Sequence, residues 1–221
     1  MRNIETGNFS PRTLEMTSSL EAERRKPLYI MKFGGTSMGG ASQITSVVDI
    51  VSEHYKEGKS LVVVPSAMSG VTNLLVSVVD GIQKFDIASI DRNLRTIFDK
   101  HMTASSEIRL SPDTRNSLQE KLRDLFVGLR EDVSHALSNM PVNTEVKDKI
   151  LSYGERMSTR ILEAKCLQEG LQAVVVDAFE IIETDDNFGE ARPDFESTKA
   201  KTIRRIHPLL KKASCLLLPV L

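Results

Sequence analysis

Two short apolar runs, each followed by a helix-periodic stretch, constrain this chain most. Residues 28–33 (LYIMKF) stop at Gly34-Gly35, and residues 61–64 (LVVV) stop at Pro65. Between residues 42 and 56, Ile44, Val47, Val48, Val51 and Tyr55 repeat at helical spacing, and Gly58 supplies a stop. After the second run, Leu74, Leu75, Val78, Val79 and Ile82 mark another helix, entered through Thr72 or Asn73. Continuously apolar strands need cover on both faces. Strand–helix–strand–helix of this kind predicts an α/β fold, a mostly parallel sheet flanked by helices.

The middle of the chain breaks the rhythm. Between residues 91 and 139 there is no strand-like run, and Leu118, Leu122, Leu125, Phe126, Leu129, Val133 and Leu137 fall on one helical stripe. Residues 85–150 read as a helical insertion. The alternation resumes with a helix over 155–169 stopped by Gly170, a strand over 173–176, an acidic glycine-containing loop over 183–195, a basic helix near 197–212, and a buried strand over 215–221. Residues 1–26 mix acids and bases without apolar periodicity. They read as a disordered leader and not as a signal or transit peptide. A chain that stops inside an apolar strand predicts that something follows Leu221, so the domain reads as truncated.

Charge removes several functions. Lys plus Arg number 29 against 30 Asp plus Glu, so the basic footprint of a nucleic-acid binder is missing. No apolar stretch is long enough to span a membrane. Cys166 and Cys215 fit neither a disulfide framework nor a zinc site, and the chain reads as cytoplasmic and reduced. His54, His101, His135 and His207 are scattered, and no metal ligand set is expected.

The densest chemical signal is Lys32-Phe33-Gly34-Gly35-Thr36-Ser37, at the carboxyl end of the first strand, where ligands of such sheets gather. Two glycines let backbone amides approach a polyphosphate, and Lys32 can offset charge during its transfer. A plain strand-to-helix turn with a solvated lysine accounts for the same residues. The Walker A loop is excluded because Gly40 stands where it requires Lys, and the dinucleotide pattern GxGxxG is absent. Small hydroxyl residues follow the second strand in Pro65-Ser66-Ala67-Met68-Ser69-Gly70-Val71-Thr72-Asn73, where they can bind a carboxylate or cap a helix. Ser152-Tyr153-Gly154-Glu155-Arg156-Met157-Ser158-Thr159 reads as a further helix start, with Glu155 either binding an ammonium group or complementing the helix dipole. Thr184-Asp185-Asp186-Asn187-Phe188-Gly189 reads by itself as an acidic turn.

Taken in order, KFGGTS, SAMSGVTNLL, SYGERMST and TDDNFG resemble the aspartate kinases of the amino-acid kinase family, from about Leu28 to the end of the chain. The resemblance implies the carbamate kinase-like fold. It implies Lys32, Phe33, Gly34 and Gly35 in the ATP site, with Lys32 catalytic, and Ser66, Thr72, Glu155 and Phe188 at the L-aspartate site. The implied reaction moves the γ-phosphoryl group of ATP, with Mg²⁺ on its phosphates, to the side-chain carboxylate of L-aspartate. The resemblance places this reaction first in lysine, threonine and methionine biosynthesis. An intact protein of this kind is expected to be a homo-oligomer.

The chain departs from the family in lacking a GRGGSD-type segment, which in the family supplies the catalytic aspartate, an arginine for the substrate and most of the nucleoside pocket, and in lacking any regulatory ACT domain. The competing expectation is a catalytically inactive remnant that acts at most as an oligomerisation partner of an intact kinase.

Overall fold

The computed structural model describes residues 27–212 and 215–219. The leader expected over residues 1–26 and the end of the last strand lie outside them. Four strands, β1 (Leu28–Phe33), β2 (Ser60–Pro65), β3 (Ala173–Val175) and β4 (Cys215–Leu217), form one sheet in the order β1-β2-β4-β3. Every pairing is parallel, with Met31 opposite Val63, Val62 opposite Leu216 and Val174 opposite Leu216. The parallel α/β reading holds.

Helices cover the faces as the strand pattern requires. Leu61, Val63 and Pro65 of β2 are buried on one face, against α1 (Ala41–Lys56), α2 (Val71–Gln83) and α5 (Thr144–Gln168). Val62 faces the opposite side, where Ile206, Leu209 and Leu210 of α6 (Phe195–Lys212) pack on Val174 and Leu216. The stretch expected as a helical insertion holds α3 (Ile87–Glu107), α4 (Pro112–Ser138) and the start of α5. Its buried side chains Ile97, Leu118, Leu122 and Leu129 join the core made by α1 and α2, so the helices extend one continuous apolar layer.

The helix ends follow local chemistry. Asp86 Oδ1 accepts the Ser89 N–H at 3.0 Å and Asn143 Oδ1 the Val146 N–H at 2.8 Å. Gly58 and Gly170, expected as stops, follow α1 and α5 with φ of 79° and 81°, values that favour glycine.

One strand differs from expectation. Residues 28–33 read as a buried strand, yet Leu28 and Ile30 are 53% and 73% exposed. The sheet order makes β1 an edge, and α6 covers the β4 and β3 side without reaching it. Among the described residues only the other face of β1 is occupied, with Met31 and Phe33 packed on the main core and Tyr29 stacked on His54.

Cys166 and Cys215 are free buried thiols. The neighbouring Cys215 and burial both push the Cys166 thiol up, keeping it neutral. Among the described residues no helix is long and apolar enough to cross a membrane.

Candidate functional site

The loops after β1 and β2 are tied together at the carboxyl edge of the sheet. The Ser66 N–H donates to Phe33 O at 2.9 Å, one residue beyond the Phe33–Pro65 register pair. A short 3₁₀ helix, Gly35–Met38, follows the glycines and is anchored by the fully buried Met38. Gly34 has φ −76° and ψ 171°, which any residue adopts. A Cβ there would meet nothing within 4 Å, and one at Gly35 would make only ordinary contact with Ala67 O at 3.5 Å. Neither backbone strain nor internal packing therefore demands Gly34. The bare backbone leaves open space over the loop, as a phosphate-approaching turn requires. Lys32 is exposed beside it and makes no ion pair with a described residue.

Glu155 is brought to this edge by α5. The expected helix start at residues 152–159 is corrected: α5 begins at Thr144 under its Asn143 cap, and these residues lie mid-helix. A dipole role for Glu155 falls with that start, because the dipole acts within the terminal turns. Gly154 explains the misreading. A Cβ on it would lie 2.9 Å from Ala67 Cβ and 3.2 Å from Leu75 Cδ1, so this glycine permits a close crossing and does not break the helix. The crossing is stapled on both sides. Glu155 Oε1 accepts the Ala67 N–H at 3.1 Å, and the Ser158 hydroxyl donates to Ser66 O at 2.7 Å.

Glu155 is 8% exposed, and its Oε2 is buried with no hydrogen-bond partner. Burial pushes its carboxyl above the usual range, opposed by the Ala67 amide. A buried carboxylate oxygen left unpartnered is costly, and a cationic ligand group would relieve it. Gly154→Ala is expected to cost about 1–3 kcal/mol by overpacking this crossing. Urea denaturation checks it, and an unshifted midpoint would contradict the close-contact role.

A cavity of about 560 Å³ borders Glu155. Tyr153, Arg156 and Lys149 of α5 form one wall, Asp177 and Phe179 after β3 another, and Pro219 after β4 closes it. Tyr153 donates to Asp132 Oδ2 at 2.8 Å, and its hydroxyl is pushed up to about 12 by burial and that carboxylate. A larger open cavity of about 960 Å³, between the start of α1 and the ends of α3 and α5, contains none of the residues singled out from the sequence.

The structure brings Lys32, Phe33, Gly34, Gly35, Ser66 and Glu155 to one edge, with Thr72 at the start of the helix that follows the β2 loop, and sets Phe188 apart. Thr72 is exposed at the second position of α2. That helix starts at Val71 and not through Thr72 or Asn73, because Gly70, at φ 80°, turns the chain and the Val71 N–H reaches Met68 O. Phe188 does not line the cavity. Its loop is held on the first turns of α5 by the Gly189 N–H donating to Asp148 Oδ2 at 2.9 Å. Asp148 lies seven residues before Glu155, about 10 Å along the helix. Phe179, 70% exposed, and Tyr153 are the aromatic residues that line the cavity with Glu155. The only signal of Phe179 in the sequence was its place after a strand.

The chain is similar to several known proteins. The lysine-sensitive aspartokinase 3 of Escherichia coli is 28% identical over 188 residues, covering 84% of this chain and 38% of that protein. The chloroplastic aspartokinase 1 of Arabidopsis thaliana is 31% identical over 173 residues, covering 75% of this chain and 28% of its own length. The chain thus spans well under half the length of these relatives. The crystal structure of E. coli aspartokinase III in complex with aspartate and ADP superposes with a TM-score of 0.75 at 24% identity, over 87% of this chain and 40% of that one. A family model described as the amino acid kinase family matches residues 27–217, which includes both loops, Glu155 and all four strands. On that match, the chain belongs to the amino acid kinase family.

Proposed function

We propose that this chain carries the phosphate loop and acceptor-binding side of an aspartate kinase, which moves the γ-phosphoryl group of ATP to the side-chain carboxylate of L-aspartate. The product is 4-phospho-L-aspartate, which starts lysine, threonine and methionine synthesis. The observation that carries the reading is Glu155, a buried carboxylate in the wall of a cavity, with one oxygen held by a backbone amide and the other without a hydrogen-bond partner. The substrate ammonium group satisfies that oxygen. The aspartokinase relatives, one solved with aspartate and ADP, support the same ligands here.

The chemistry asks little of the protein beyond placement. The bond between the γ-phosphorus and the β–γ bridging oxygen breaks, ADP leaves, and the new bond joins phosphorus to a carboxylate oxygen. An aspartate carboxylate with pKa ~3.9 is already ionised at pH 7, so no general base is required. Two anions must be aligned and their repulsion offset. Lys32 and the open amides of the Gly34-Gly35 turn supply that on this chain. Mg²⁺ carried on the nucleotide phosphates would neutralise further charge there.

Hydroxylamine trapping tests the reading. The purified chain should form aspartyl hydroxamate only with ATP, Mg²⁺ and L-aspartate together. A chain that is folded by circular dichroism yet forms none would overturn catalysis by this polypeptide and leave the non-catalytic partner reading.

A further inference from the structure

The open cavity of about 960 Å³ has no part in the reading above, and it gathers basic side chains from three places in the fold. Arg109 comes from the link between α3 and α4, Arg115 from the first turn of α4, and Lys165 from the last turn of α5. Arg109 is exposed and Arg115 half-buried, and neither makes an ion pair with a described residue. Arg115 spends one long hydrogen bond, Nη2 to Ile108 O at 3.4 Å, on the end of α3, and its Nε has no partner. Lys165 is only 6% exposed. A charge buried that far is costly unless it is answered, and among the described residues its answer is the exposed Glu169 alone. An ammonium group has three donors, and that bond uses one.

The start of α1 forms another wall. Its first intrahelical bond runs from the Ile44 N–H to Gly40 O at 3.0 Å, so the N–H groups of Ala41, Ser42 and Gln43 precede the ladder. No side chain caps them, and no acid stands in the first turn. A helix start signifies little by itself. This one shares a cavity with two unpaired guanidinium groups and a buried ammonium group. Amides, guanidinium forks and a lysine are together the donor set that holds a phosphate.

We propose that this cavity is an anion site for a single phosphate group, separate from the Gly34-Gly35 turn. A phosphate group carries about −1.5 to −2 charge at pH 7 and three strong acceptor oxygens, which matches the unpaired arginines and the free amides. Glu107 also lines the cavity and has no ion pair among the described residues. Its carboxylate repels a polyphosphate chain more than one phosphate group, which turns ATP away. The volume is far larger than a bare phosphate ion fills, and it leaves room for the organic part of a phosphate monoester. The site stands whether or not this chain transfers phosphoryl groups.

Calorimetric titration of the full chain with glycerol 3-phosphate and with inorganic phosphate tests the assignment. Tighter binding of glycerol 3-phosphate marks a monoester as the ligand, and equal binding marks the free ion in the same site. Arg109→Gln and Arg115→Gln should each weaken both probes by about ten- to a hundredfold, the span of one charge-assisted contact. Arg109→Lys should recover part of that loss. Glu107→Gln should tighten binding, which a merely structural role for these side chains would not produce. Lys32→Ala separates this cavity from the glycine turn and should leave both affinities unchanged. No binding of either probe, binding that ignores both arginine variants, or binding that Lys32→Ala abolishes overturns the proposal. Thermal melts by circular dichroism confirm that each variant is folded.

Discussion

Lys32→Ala is expected to lower kcat for hydroxamate formation by about 10²- to 10³-fold, the usual cost of deleting one group aimed at developing charge. The melting curve should not move. Lys32 is the penultimate residue of an edge strand, its side chain is exposed, and it makes no ion pair with a described residue, so truncating it withdraws nothing the fold uses. What it withdraws is positive charge beside an open glycine turn. A raised KM for ATP with unchanged kcat would reassign Lys32 to uniform nucleotide binding, and no change in either would end its role in the site.

The second large effect is on stability. His101 of α3 is buried, with Nδ1 2.7 Å from Ile97 O and Nε2 without a partner. Burial lowers its pKa from 6.5 to about 4, against the Ile97 carbonyl. Between these values the unfolded chain binds a proton that the folded chain refuses. The contribution is therefore fully present above pH 6.5 and is lost as pH falls toward 4. Its full size is about 3 kcal/mol, because each tenfold change in proton affinity is worth about 1.4 kcal/mol. Urea denaturation at pH 7 and pH 4.5 measures it. His101→Leu should lose markedly less stability between the two than the wild-type chain, and equal losses would show that His101 does not set the acid response.

Much of the site was legible because its loops are written in residues with few alternative uses. Gly34-Gly35 after an apolar run and the hydroxyl-rich stretch after Pro65 each marked the end of a strand, and the sheet places them side by side. Gly154 misled because a glycine between Tyr153 and Glu155 reads as a helix boundary. Its purpose, a backbone approach to Ala67, depends on a residue 87 positions away in the chain. That no described residue covers one face of β1 was hidden for a similar reason. LYIMKF is equally apolar as a central or an edge strand, and only the reach of α6 decides which face is covered. Phe179 was invisible because a lone aromatic after a strand carries no pattern, whereas Phe188 stood in a recognisable motif but sits on the first turns of α5.

Recognition of an ammonium group by Glu155 is central to the proposed function, and succinate, which is aspartate without that group, tests it most directly. Calorimetric titration of the wild-type chain should show L-aspartate binding at least tenfold more tightly than succinate, a gap of about 1.4 kcal/mol or more. Glu155→Gln should close the gap by weakening L-aspartate and leaving succinate unchanged. Equal affinity of the wild-type chain for the two ligands, or a gap that persists in Glu155→Gln, would contradict that role.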